Sequence, residues 1–281
     1  SDLGILVVNL PKKYAGGGMS HLEAVLVLEE VAKISIAIAF PIFESSFGPA
    51  LAISNFASEE LRNHVLPKIC SGEIVVAVSM SEPQAGSALT DLTTNARIEK
   101  DHIVINGQKR WCSGAGHADG YVVYCRLSDE PGSKGIGAVY IEKETNGFTF
   151  GKREHHMGFR GVHSADMYFD NVRISKSNII VPAGGFKKLM EAFDLERCGN
   201  STMSLACAQS SYDYVLNYVQ ERKQFGKAII DFQAVQLQLA EMKMKLDASR
   251  LLIYRAVVNA DKSLPSIGES SIAKCFANEI T

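Results

Sequence analysis

The stretch IVVAVSMSEPQAGSALTDL, residues 74–92, is where the texture of the chain changes. Before it the sequence has a helical character. From it onward come short β-branched or aromatic runs bounded by Gly, Asn, Asp and Pro: IVVAVSM, ARIEK, HIVING, QKRWCS, YVVYCRL, GAVYIEK, FTF and DMYFDNVRI. Their spacing predicts a compact antiparallel β-barrel or sandwich over 74–181. Asn106-Gly107 reads as a hairpin turn inside it. Within the quoted stretch, Ser81-Glu82-Pro83 followed by Ala85-Gly86-Ser87 looks like a strand end entering a tight turn. Its N–H groups and small hydroxyls suit a polar ligand, although an ordinary β-turn has the same residues.

Toward the N-terminus, residues 1–73 are expected to form a helical domain after an irregular start. Ser20-His-Leu-Glu23 is a capping box that opens a helix from Leu22 to Phe40, apolar around most of its circumference and ended or kinked by Pro41. Ser58 caps a second helix with acidic residues at its positive end. Gly16-Gly17-Gly18 lacks a following GK[ST] and reads as a plain loop. After Pro182 the helical period returns, and 182–281 reads as a bundle. The opening residues include no initiator Met and the last helical pattern still runs at Thr281, so the chain is expected to be incomplete at both ends.

Composition narrows the classes. With 46% hydrophobic and 21% charged residues, the 281-residue chain is an ordinary globular sequence with room for a sizeable core. A formal charge of −2 offers no basic surplus for nucleic acid. ISIAIAFPIF is short and holds Pro41, so no membrane span is expected. The cysteines at 70, 112, 125, 198, 207 and 275 have no metal-ligand spacing and read as free thiols of a reducing compartment. His155 and His156 are adjacent, poor geometry for one metal, and no metal site is expected.

Three further stretches carry chemistry. In NGQKRWCSG, 106–114, the single Trp, Trp111, has Ser113 two residues on and hence on the same strand face. That pairing suits a planar heteroaromatic ring; the alternative is a core Trp. In QERKQFGKAIIDFQ, 220–233, Arg222 suits a pyrophosphate and Phe225 a ring; the alternative is an exposed inter-helix loop. In AFDLERCGN, 192–200, Glu196 precedes Arg197. Phe186, Leu189, Met190 and Phe193 share a helical stripe, which continues to Arg197, with Glu196 about 80° away. A guanidinium on an apolar stripe needs a buried partner or a ligand. Taken alone, this stretch is better read as a structural ion pair.

In this order and at these separations, YAGGG, SEPQAGS, NGQKRW, EHHMGFRG through FDNVRI, GGFKKLM, DLER and ERKQFGK resemble the acyl-CoA dehydrogenase family over nearly the whole chain. The resemblance implies an N-terminal helical domain, a middle β-domain, a C-terminal helical bundle, and FAD bound without a dinucleotide-binding Gly loop. It places Met80 and Ser81 at the flavin edge, Gly86 and Ser87 near flavin and CoA, Trp111 against the isoalloxazine and Ser113 near its reactive nitrogen. Many members have Thr where Ser113 stands. Arg222, Gln224, Phe225 and Gln233 are implied to reach the FAD of a neighbouring subunit, in a homo-oligomer expected to be a tetramer.

The family removes a thioester α-proton with a Glu while the β-hydride passes to flavin. A free Glu, with a pKa of about 4.3, is too weak a base unless desolvated. DLER matches the branch, including isovaleryl-CoA and long-chain enzymes, whose base sits on the first helix of the C-terminal domain directly before an Arg. The match implies Glu196 as base, Arg197 as its buried electrostatic partner and Asp194 as a pantetheine contact. The acyl group expected is branched, bulky or aromatic, as in benzylsuccinyl-CoA; electron-transfer flavoprotein is the expected acceptor, and the compartment cytoplasmic, or the mitochondrial matrix in a eukaryote. An enoyl-CoA reductase or acyl-CoA oxidase shares every motif. A non-catalytic or DNA-protection homologue is the reading of another class; the charge of −2 and the intact DLER stand against it.

Overall fold

The computed structural model describes residues 4–260 and 263–281, so the opening of the irregular start and positions 261–262 lie outside the described residues. In chain order the helices are α1 (His21–Ile34), α2 (Ile36–Ser46), α3 (Pro49–Phe56) and α4 (Glu59–Ser71). Strands β1 (Val76–Ser79), β2 (Asn95–Glu99), β3 (His102–Ser113), β4 (Gly120–Arg126), β5 (Ile136–Glu142), β6 (Phe148–Phe150), β7 (Ser164–Ser175) and β8 (Ile179–Val181) follow. Then come α5 (Phe186–Glu221), the two-stranded β9 (Lys223–Gln224) and β10 (Lys227–Ala228), α6 (Gln233–Ala260) and α7 (Ile267–Ile280). Two compact units result: Ser1–Met19 with Phe40–Phe193, and Ser20–Ala39 with Asp194–Thr281.

In the first unit the strands form one eight-stranded sheet in the order β6-β7-β3-β2-β4-β5-β8, with β1 beside β4. The antiparallel expectation needs correction. β1 runs parallel to β4, Val76 facing Gly120, and β2 meets β4 in parallel at Asn95 and Arg126. The sheet is therefore mixed, and among the described residues it does not close into a barrel. The reason is the quoted stretch itself: after β1 the chain does not reverse in a tight hairpin but runs through residues 80–94 before re-entering the sheet. Tyr121, Val123, Val139, Ile141 and Met167 are fully buried in the core. The Phe148 and Phe169 rings stack there at 4.9 Å between centroids.

Asn106-Gly107 is not the hairpin. It lies inside β3, where the register against β7 slips between Ile105 and Gly107. Gly107 has φ 147, and a Cβ there would stand 2.6 Å from Thr94 Oγ1, so close packing demands the glycine. The real β2–β3 turn is Lys100-Asp101, with Lys100 at φ 50 and Glu99 opposite His102. Gly16 and Gly17 are likewise needed for close approach: added Cβ atoms would stand 2.3 Å from the Leu10 carbonyl oxygen and 2.4 Å from that of Val8. Their N–H groups donate to the Pro11 and Val7 carbonyls, which leaves no phosphate cradle.

The long apolar helix ends earlier than Pro41. Ser35 is extended (φ −161, ψ 119), closing α1, and its Oγ accepts from Ile38 N at the start of α2. Pro41 lies inside α2. The span expectation also needs amendment: Ile36–Phe56 is long and apolar enough by composition to cross a membrane, but 72% of that apolar window is buried inside the protein.

In the second unit the capping box forms as expected, with Ser20 Oγ accepting from Glu23 N and Ser20 N donating to Glu23 Oε2 at 2.7 Å. Arg250 on α6 donates through Nη2 to Glu29 Oε1 on α1 at 2.7 Å and to Gln209 Oε1 on α5 at 2.9 Å. One guanidinium thus ties three helices, and the Glu29 it meets is only 4% exposed.

Candidate active site

In the first unit the predicted residues gather at the ends of two strands. Met80 and Ser81 follow β1, and β3 runs beside them: Arg110 N donates to Ser81 O at 2.9 Å. The β3–β7 register slips again between Lys109 and Cys112. Lys109 and Cys112 both turn inward and are buried, while Trp111, at φ 63, turns outward and is 53% exposed. A large aromatic held at positive φ costs about 1–3 kcal/mol. The core-Trp alternative is thereby excluded. The Arg110 guanidinium carbon lies 4.4 Å from the Trp111 ring centroid, so one ring face meets a cation. Ser113 stands opposite Ser164 of β7. Gly86 and Ser87 are exposed, and a Cβ at Gly86 would meet nothing within 4 Å.

These residues fit a flavin. A flat aromatic is presented to solvent against its packing interest, a hydroxyl lies two residues on, and an open turn of small residues follows β1.

Behind them is a group that pattern reading passed over. Lys109 Nζ donates to Glu82 Oε1 at 2.9 Å and to Met80 O at 2.8 Å, and neither charged side chain has any exposure. Glu82 also accepts from Thr93 N, Thr93 Oγ1, Gln84 Nε2 and Thr94 N. Burial alone would raise its pKa; the Lys109 charge and these hydrogen bonds outweigh burial and bring it to about 2. The signal available was a Lys at an apolar position of a strand and a Glu directly before Pro83. Arg126 was passed over too. Its Nε and Nη2 donate to the Leu92 and Thr90 carbonyls at 3.1 and 2.9 Å, fastening the far end of the same loop.

In the second unit, DLER lies on α5. Burial pushes the Glu196 carboxyl up to about 8, against the opposing pull of Arg197. The expected Glu196–Arg197 pair takes a different form. Arg197 donates to Asp194 one turn earlier, its side chain is 24% exposed, and it acts on Glu196 through space. Spacing i, i+3 puts Asp194 and Arg197 on one helix face, whereas neighbours in sequence diverge by about 100°. Asp194 is 4% exposed, and its Oδ1 also accepts from Ser270 Oγ of α7 at 3.2 Å. It supports Arg197 from inside the unit.

The loop after α5 projects outward. Arg222, Gln224, Phe225 and Gln233 are all exposed. Phe225, at φ 52, is 94% exposed, and its ring stands edge-on to Phe232 with centroids 6.2 Å apart.

Comparison with known proteins places this geometry in a family. Models of the acyl-CoA dehydrogenase N-terminal, middle and C-terminal domains match residues 1–73, 77–172 and 183–281. "Probable acyl-CoA dehydrogenase FadE25" of Mycobacterium tuberculosis is 34% identical over 279 residues, 99% of this chain and 72% of that protein. A 3-sulfinopropanoyl-CoA desulfinase of Cupriavidus necator is 34% identical over 283 residues, 98% of this chain and 71% of that protein. Butyryl-CoA dehydrogenase from Megasphaera elsdenii superposes with a TM-score of 0.95 at 30% identity, covering 99% of this chain and 74% of that one. The chain belongs to the acyl-CoA dehydrogenase family.

Proposed function

We propose that this protein is an FAD-dependent acyl-CoA dehydrogenase in which Glu196 removes the α-proton of the acyl thioester. The observation that carries the reading is the Glu196 carboxyl, raised by burial to about 8 within the DLER stretch of α5. A base near that value is better matched to a carbon acid than an ordinary carboxylate, and the arriving thioester desolvates it further. Bound FAD supplies the acceptor for the β-hydride. Met80, Ser81, Gly86, Trp111 and Ser113 hold that cofactor, and Ser87 meets the CoA side. Arg197, steadied by Asp194, keeps a positive charge near Glu196 so that the base can ionise. Exposed Arg222, Gln224, Phe225 and Gln233 complete the FAD site of a second subunit in a homotetramer.

The acyl group is branched or bulky, with benzylsuccinyl-CoA in the panel to be tried, and electron-transfer flavoprotein takes the electrons in a reducing compartment. The test is anaerobic bleaching of the bound flavin by butyryl-CoA, isovaleryl-CoA and benzylsuccinyl-CoA. Wild type should bleach with at least one of them. Glu196→Gln should retain flavin and bind thioester but lose about 10²–10⁴ in rate. Fast bleaching in that variant removes Glu196 from the mechanism.

A further inference from the structure

A buried Lys–Glu pair is an expensive way to fill space. Two charges lose their hydration, and apolar residues of similar volume often serve stability as well. The contacts of Lys109 and Glu82 point to a task beyond packing. The Lys109 ammonium is shared between Glu82 Oε1 and the Met80 carbonyl, at 2.9 and 2.8 Å. A trans peptide sets its C=O and the following N–H in opposite directions in one plane, and the described chain has no cis bond. Drawing the Met80 carbonyl inward therefore aims the Ser81 N–H outward. The next peptide is held as well: Ser81 O accepts from Arg110 N at 2.9 Å, and Glu82 N donates to Ala85 O at 2.8 Å. Among the described residues the Ser81 N–H has no protein acceptor.

The same lysine anchors the bulge of β3. Lys109 and Cys112 point inward across the register slip, and Trp111 between them is turned out. One buried side chain thus sets two exposed features, the Ser81 N–H and the Trp111 ring. Glu82 holds the lysine in place and is itself held by Thr93 and Thr94 at the end of the connecting loop.

We propose that Lys109 and Glu82 are positioning residues for the flavin: the pair aims the Ser81 N–H at the cofactor and holds the bulge that presents Trp111. This rests on the assignment of FAD to Met80, Ser81 and Trp111. It makes the pair a device for orientation, carried in the sheet and touching no cofactor atom.

Two measurements test it on the full chain. First, ¹⁵N-labelled apoprotein is titrated with FAD. The Ser81 amide resonance should move on binding, as a donor gaining an acceptor does. Second, the double variant Lys109→Met/Glu82→Gln, which removes both charges together, is compared with wild type. Its apoprotein should melt close to wild type, yet its Kd for FAD should rise about tenfold or more, the scale of one misaimed hydrogen bond. The visible band of its bound flavin should also be displaced. A pair that only secured the fold would change the melt and leave Kd and spectrum alone. That outcome overturns the positioning role and leaves the cofactor assignment standing, whereas an unresponsive Ser81 amide in wild type that binds FAD overturns the role together with the Ser81 part of that assignment. Wild type that takes up no FAD overturns both. Should the double variant fail to fold, the Ser81 resonance decides.

Discussion

Arg197 donates to Asp194, one turn back on the same helix, and acts on its immediate neighbour Glu196 through space, where burial outweighs it. The three charges of DLER therefore divide into a pair and a single raised carboxyl. Removing the pair's acid should be felt by the base. Asp194→Asn leaves the Arg197 charge less compensated, which favours ionised Glu196. The pH at which activity rises should move to lower values, as a series of pH–rate profiles would record. An unshifted profile would mean that Asp194 has no electrostatic reach to the base.

For wild type, kcat/KM should rise with pH through about 8, because the free enzyme must lose the Glu196 proton before it can accept another. Stability should run the other way. The folded state holds this proton more tightly than the ordinary value of 4.5, so its contribution is fully present below 4.5 and is lost as pH rises through about 8. Glu196→Gln should flatten that decline, measurable by urea melts at pH 6 and 9.

Glu82 has the opposite sign. Its pKa is depressed from 4.5 to about 2, so its contribution is present above 4.5 and is lost as pH falls toward 2. Acid titration of stability in wild type and Glu82→Gln should converge at low pH. Parallel curves down to pH 2 would show that the buried carboxylate is not a source of the acid sensitivity.

Trp111 is the only Trp of the chain and is 53% exposed. Trp111→Ala should therefore cost little stability, within about 1 kcal/mol, since little packing is lost and an unfavourable backbone position is relieved. Affinity for FAD should fall about tenfold or more, the scale of a ring contact with its desolvation. In wild type, Trp fluorescence should be quenched as FAD is added to apoprotein, an internal check that the ring meets the cofactor.

Arg222→Ala should release FAD more readily with helical content unchanged, because the residue is exposed and lies in the loop after α5. Phe225→Ala, removing a ring that is 94% exposed, should leave the melt of a dissociated subunit unchanged and weaken assembly seen by sedimentation. Tight FAD retention by a monomer of either variant would separate the cofactor site from the loop.

Local signals in the sequence were enough for the Ser20 capping box, the Ser58 cap, the loop at Gly16–Gly18 and the change from helix to strand at Ile74, because each depends on residues within a turn or two of one another. The order of motifs was also enough for the family. What the tertiary structure decided were the choices between equally good local solutions. Asn106-Gly107 has hairpin chemistry, but Thr94 packs against it and the chain passes straight through as a bulge. Alternating strands say nothing about direction, and β1 lies parallel to β4 because the chain between them is long enough to return to the same end. Arg197 could reach either acid by sequence distance, and the helix period gave it Asp194. Lys109 and Glu82 are 27 positions apart, and only the folded sheet removes both from water and turns two ordinary charges into a pair.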